Sequence, residues 1–147
     1  MRLLAGTDFA LRVLMLLAGA PPGRPVSVER LARDLGGLSR HHLHKIVQDL
    51  TALGITRTLR GSGGGVMLAR APDQVRVGTV VRQLEADQAV VECFRADGCA
   101  CTLLPHCRLR GMLREAQERF YAGLDGYTLA DCIPPLTASA SIGASAR

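Results

Sequence analysis

A chain of 147 residues without tryptophan, with three Phe and two Tyr, can form one domain, or one compact domain with an attached helical element, only around an aliphatic core. Its formal charge of +5 is unevenly spread: residues 1–76 carry eleven Arg/Lys against five Asp/Glu, and residues 77–147 seven against eight. That asymmetry points the front half towards a polyanion, a merely basic surface being the plainer alternative, and no apolar run reaches the roughly 18–20 residues of a membrane span.

Near the start, Arg12 followed by VLMLLAGA and Pro21-Pro22 imitates a short secretory signal. Asp8 within the would-be charged segment and the shortness of the run argue against it, so a cytoplasmic protein with reduced thiols is expected. Thr7 is placed to cap a helix over Asp8–Ala18, apolar nearly all round and so buried, which GAPPGRP breaks. Ser27 opens a second helix with Val28, Leu31 and Leu35 on one side, ended by Gly36-Gly37. Ser39 opens a third, to about Leu53, stopped at Gly54.

On the third helix Leu43, Ile46, Val47, Leu50 and Leu53 form the expected buried stripe. The opposite face carries His41, Lys45 and Gln48, with His44 beside them and Ser39 and Arg40 at the N-terminal end. Two short helices ending in such donors match what major-groove reading needs, although a solvated polar face would look the same. ITRTLR, GSGGG and VMLAR then read as two strands around a glycine-rich turn, with Arg57 and Arg60 leading in and Arg70 leading out. A basic hairpin after a helix-turn-helix is a wing, whose tip, including Ser62 and Gly63, can approach DNA backbone or minor groove. The glycines do not suit a nucleotide loop, because no Lys-Ser/Thr follows and no helix opens there.

After Pro72 a helix from about Gly78 to Asp87 is expected. Further on, CRLRGMLREAQERFYAGLDG places Leu109, Met112, Leu113, Ala116, Phe120 and Leu124 on one side, with Arg114/Glu118 and Glu115/Arg119 at i, i+4 on the other. That helix reads as a dimerisation helix, the alternative being packing on the first helix. The tail from Pro134, ending TASASIGASAR, has the composition of a disordered segment. The fold class is thus mainly α with a small β-hairpin: a winged helix-turn-helix over 1–76, a cysteine loop and dimerisation helices over 77–132, and a tail over 133–147.

Between the last two helices lies CFRADGCACTLLPHC, with four of the five cysteines. Disulfides are disfavoured by compartment and by the small loops they would close. Zinc is disfavoured because the cysteines lack paired knuckles two to four residues apart. An iron–sulfur cluster suits thiolates at flexible spacing on a loop eased by Gly98 and Ala100 and stiffened by Pro105. Joined to a DNA-binding module, such a loop suggests a sensor. An enzyme or metal carrier would lack a C-x-x-C pair and any acid/base constellation, and would leave the wing without a purpose.

TDFALRVLMLLA, LSRHHLHKIVQDLTALG, TLRGSGGGVMLARAP, the cysteine loop with CRLRGMLREA, and LDGYTLADC together resemble the NsrR-type regulators. These are nitric-oxide-sensing repressors of the iron–sulfur winged-helix superfamily that also contains IscR and RirA. The resemblance covers about residues 1–132. It implies a cytoplasmic homodimer that binds operator DNA and releases it when nitric oxide reacts with its cluster, a four-iron cluster being favoured over a two-iron one. Carried over, the family's C-x5-C ending selects Cys101 and Cys107, with Cys93 as the first thiolate. Cys99 is then an extra thiol or an alternative ligand, and Cys132 stands where an aliphatic residue is usual. The IscR-like histidine ligand is replaced by Arg110, and the N-terminal aspartate of NsrR-like members matches Asp8, which could come from the partner chain; a favourable carboxylate in a first helical turn is its plainer reading. The alternatives are an iron- or cluster-status regulator like RirA or IscR, and a zinc-stapled winged-helix protein.

Overall fold

A computed structural model describes residues 3–36, 38–104 and 106–134. The order is α1 (Ala5–Ala18), α2 (Val28–Asp34), α3 (Arg40–Ala52), β1 (Thr56–Leu59), β2 (Gly65–Leu68), α4 (Val77–Leu84) and α5 (Arg108–Asp125). Short 3-10 turns occupy Pro72–Gln74, Glu92–Phe94 and Ala130–Cys132. The expected tail lies, from residue 135 on, outside the described residues.

Two helix starts are set locally, as expected. The Ser27 hydroxyl accepts from the Arg30 amide at 3.2 Å and the Ser39 hydroxyl from the His42 amide at 3.3 Å, each satisfying an otherwise orphaned donor. The first helix departs from expectation. It begins at Ala5, and Thr7 sits buried inside it instead of capping it. The reason is long-range: the Leu4 amide donates at 3.0 Å to Oε1 of Glu85, a buried carboxylate just past the end of α4. A distant carboxylate therefore does at this terminus what a local side chain usually does.

The helix-turn-helix packs on α1 through one aliphatic core. Leu14, Leu31, Leu43 and Leu50 have no exposed surface, with Ala10, Val13, Leu17, Ile46 and Val47 around them. Each such leucine stabilises the fold by roughly 1.5–3 kcal/mol relative to an exposed side chain. Leu53, expected in the stripe, is instead 37% exposed: it is the C-terminal cap residue of α3, beyond the last buried turn. Met15 is likewise exposed, so α1 is buried on one side and not all round.

The hairpin is antiparallel, pairing Thr56 with Leu68 and Leu59 with Gly65. Val26, just before α2, adds a bridge to Val66 through N–H···O bonds of 2.8 and 2.9 Å, tying the wing to the helix-turn-helix. This approach requires glycine at 65, where a Cβ would fall 2.5 Å from the Val26 carbonyl oxygen.

Val75, Val80 and Leu129 belong to the same core, so segments on both sides of residue 76 share it. Helix α4 stops at Leu84, short of the expected Asp87, and the backbone turns away at Glu85. α5 packs chiefly on α4, with Tyr121 in a smaller buried cluster beside Val77 and Val81. Its expected apolar stripe lies open: Leu109 and Met112 are 59% and 58% exposed, Phe120 and Ala116 are exposed, and Leu113 and Leu124 are half-buried. Glu115 and Arg119 pair at 2.6 Å as expected. Glu118, however, turns to Arg82 of α4 at 3.5 Å, and Arg114 lies over Phe94 instead.

Candidate nucleic-acid interface and cysteine loop

The polar face of α3 stands clear of the core. Ser39, Arg40, His41, His44, Lys45 and Gln48 are all exposed, as are Arg57, Arg60, Ser62 and Gly63 on the hairpin and its turn. Among the described residues, Arg40, Arg57, Arg60 and Arg70 have no carboxylate partner, so their charge is available to an anion. Lys45 is partly committed, with Nζ 3.3 Å from Asp49 one turn on. His42, not among the donors expected on this face, has Nδ1 3.1 Å from the Ser39 hydroxyl. The Ser-x-x-His spacing at a helix start was the available signal. Gly61 and Gly63 hold positive φ at the turn, a conformation that keeps the tip narrow.

The cysteine loop joins α4 to α5. Cys93 lies in the 3-10 turn, Cys99 follows Gly98 at φ +85°, and Cys107 is the N-terminal cap residue of α5. Cys101 is exposed; Cys93, Cys99 and Cys107 are half-buried, and all are free thiols. Arg95 binds Asp97 and holds its carboxyl below the usual range, fixing the bend ahead of Gly98. Cys132 stands apart, its Sγ 3.5 Å from the Thr128 carbonyl oxygen and packed by the smaller cluster.

Among the described residues no three Cys, His, Asp or Glu side chains converge at metal-ligating distance. Asp8 is not brought to the loop within one chain; its carboxylate pairs with Arg12 at 2.8 Å, both side chains about half exposed. In donor chemistry the loop nonetheless fits an iron–sulfur cluster: four unbridged soft thiols on one connection, with a left-handed glycine beside Cys99.

The loop is anchored by side chains that the cysteine spacing does not point to. Arg110 in the first turn of α5 directs Nε and Nη2 to the Cys93 carbonyl oxygen, each at 3.4 Å. The guanidinium groups of Arg110 and Arg114 lie 5.9 and 5.3 Å from the centre of the Phe94 ring. An aromatic beside a cysteine and two arginines at i, i+4 were the visible signs.

The family described as Rrf2, iron-dependent transcriptional regulator, matches residues 3–135. The chain is 44% identical over 133 residues to the HTH-type transcriptional regulator NsrR of Geobacillus kaustophilus, covering 90% of each. It is 40% identical to that of Bacillus subtilis, again covering 90% of each. Among solved structures it is similar to CymR, the global cysteine regulator of B. subtilis, with TM-score 0.70 and 25% identity over 90% of this chain and 95% of that one. It is also similar in fold to T. potens IscR, with TM-score 0.68 and 23% identity over 90% of this chain and 85% of the other.

Proposed function

The chain belongs to the Rrf2 family of transcriptional regulators and is a regulator, not an enzyme; from that premise we propose that it is a homodimeric repressor that senses nitric oxide through an iron–sulfur cluster. One observation carries the reading: a basic helix and wing with uncommitted arginines share a chain with a loop of four unbridged thiols at the start of α5. The relatives' shared name, NsrR, supports the signal.

Arg40, His41, Lys45 and Gln48 would read base edges and phosphates in the major groove, with Ser39, His44, Arg57, Arg60, Ser62 and Gly63 at the flanking backbone or minor groove. Residues 77–132 would form the sensing and dimerising part, the open stripe of Leu109, Met112 and Phe120 meeting its copy. Cys93, Cys101 and Cys107 would hold a cluster, four-iron favoured, with Cys99 as the alternative thiol and Asp8 of the partner chain as the oxygen ligand. When bound, the cluster supplies iron on which nitric oxide acts. Asp8 has a resting partner ready: its half-exposed pair with Arg12 is worth at most about 1 kcal/mol, so leaving or regaining it is cheap. Such exchange at the first turn of α1 would reach the helix against which α3 packs. A hundredfold loss of DNA affinity needs about 2.7 kcal/mol, which misorienting one of two recognition helices can supply.

The test is anaerobic purification followed by titration with nitric oxide, read by visible absorption and by operator-DNA binding. Brown protein that bleaches and releases DNA is expected. Colourless protein whose DNA binding ignores nitric oxide would leave a zinc-stapled or unliganded DNA-binding protein. The family description, iron-dependent, favours one second reading, an iron- or cluster-status regulator. That reading gains if DNA binding tracks cluster loading but not nitric oxide.

A further inference from the structure

We infer that Arg110, with Phe94 and Arg114, is a positioning clamp that fixes Cys93 in the frame of the first turn of α5, the helix that Cys107 caps. Three contacts converge. The Arg110 guanidinium donates twice to the Cys93 carbonyl oxygen at 3.4 Å, reaching back across the loop. The same guanidinium faces the ring of Phe94, the next residue in the turn, at 5.9 Å. Arg114, one helical turn further on, faces that ring at 5.3 Å. A guanidinium fork aimed at one carbonyl and an aromatic ring held by two cations define position more tightly than either contact alone.

Among the described residues, no other side chain of α5 donates to a loop carbonyl between Cys93 and Cys107. Cys101 is exposed, and the hydrogen bonds from Arg95 to Asp97 shape only the bend before Gly98. The two outer thiols are therefore tied to one element, Cys107 as its cap residue and Cys93 through the clamp, while Cys99 and Cys101 lie between them in sequence. Preorganising two of three donors leaves a binding group only the third to order. The functional meaning of the clamp rests on the cluster reading above, but its existence does not.

The experiment uses the full-length, cluster-free chain under anaerobic conditions. Each cysteine's alkylation rate with iodoacetamide is followed by peptide mass spectrometry in the parent, Arg110→Ala and Arg110→Lys. In Arg110→Ala, Cys93 should react roughly fivefold faster, the factor that about 1 kcal/mol of lost local restraint gives. Cys101, already exposed, should keep its rate, and Arg110→Lys, which keeps a donor and the charge, should fall between. An unchanged Cys93 rate overturns the clamp, and so does equal acceleration of all four loop thiols with a lowered melting temperature. The three proteins are then loaded anaerobically with ferrous and ferric iron in equal amounts and with sulfide, to equal absorbance, and challenged with a chelator. Faster bleaching of Arg110→Ala supports the positioning role, and equal bleaching overturns it. If the parent takes up no iron and sulfide, the cluster reading fails while the alkylation rates still decide the clamp.

Discussion

Arg82 binds Asp125 at 3.2 Å while its guanidinium lies 4.8 Å from the centre of the Tyr121 ring, so one side chain of α4 holds two successive turns of α5. Thr79 adds a hydrogen bond of 3.0 Å to the same carboxylate, and Arg76 donates to the Asp125 carbonyl oxygen at 3.3 Å. This joint attaches the long helix to the domain that carries the basic face.

Replacing Arg82 by Ala should therefore cost more than an ordinary surface pair. With the carboxylate about one-third exposed, we expect a loss of about 1–2 kcal/mol, or roughly 3–6 °C in melting temperature. Thermal unfolding followed by circular dichroism checks this. A change within experimental scatter would mean that the joint is held by apolar packing alone.

The joint also predicts an acid limit. Burial by itself would raise the Asp125 carboxyl, but hydrogen bonds from Arg82 and Thr79 outweigh it and hold the group below its ordinary value. Because the folded pKa is the lower one, the stabilisation is complete above the ordinary carboxyl range, near about 4, and fades as pH falls towards the folded value. Asp131 acts in the same direction, its carboxyl lowered by the Thr128 amide and hydroxyl. In Asp125→Asn, stability at neutral pH should be lower and the fall below about pH 4 shallower. Denaturant midpoints at pH 3 and pH 7 test the sign; parallel curves for the two proteins would refute it.

Gly78 sits where α4 crosses α5. A Cβ there would meet the Tyr121 carbonyl oxygen and come within 2.6 Å of the Asp125 amide nitrogen, both backbone atoms that cannot step aside. Gly78→Ala should cost about 2–3 kcal/mol although alanine favours helix. A neutral or stabilising outcome would show that the helices can separate freely.

On the basic face, Asp49 takes part of the charge of Lys45 and would itself face phosphate. Asp49→Asn should tighten binding to DNA of any sequence several-fold and steepen its dependence on salt by about one power. Fluorescence anisotropy across a salt series measures both. An unchanged slope would place this end of α3 away from the backbone.

Much of this was legible in the chain because it is local. Ser27 and Ser39 cap their helices, Gly36 and Gly54 follow helix ends at positive φ, and the strands flank the glycine turn as the pattern implies. What escaped depends on residues far apart in sequence. The start of α1 is set by Glu85, the expected Arg114–Glu118 pair lost Glu118 to Arg82, and the Cys93 turn is held by Arg110. The cysteines marked the loop, but the choice among them is a matter of three-dimensional arrangement that spacing alone does not contain.

The anchorage of α5 at one end gives it a mechanical character. From buried Tyr121 to the cap at Cys107 the helix extends about 20 Å, at roughly 1.5 Å per residue. A tilt of about 10° around Tyr121 sweeps the cysteine end through roughly 3–4 Å over that length. In the opposite direction the helix would act as a reduction gear: a bond-length rearrangement among the thiols would arrive at α4 as a rotation of only a few degrees. An output that small, delivered to a close-packed domain, asks for close tolerance at the pivot, and the glycine at 78 supplies it by leaving no slack between the two backbones.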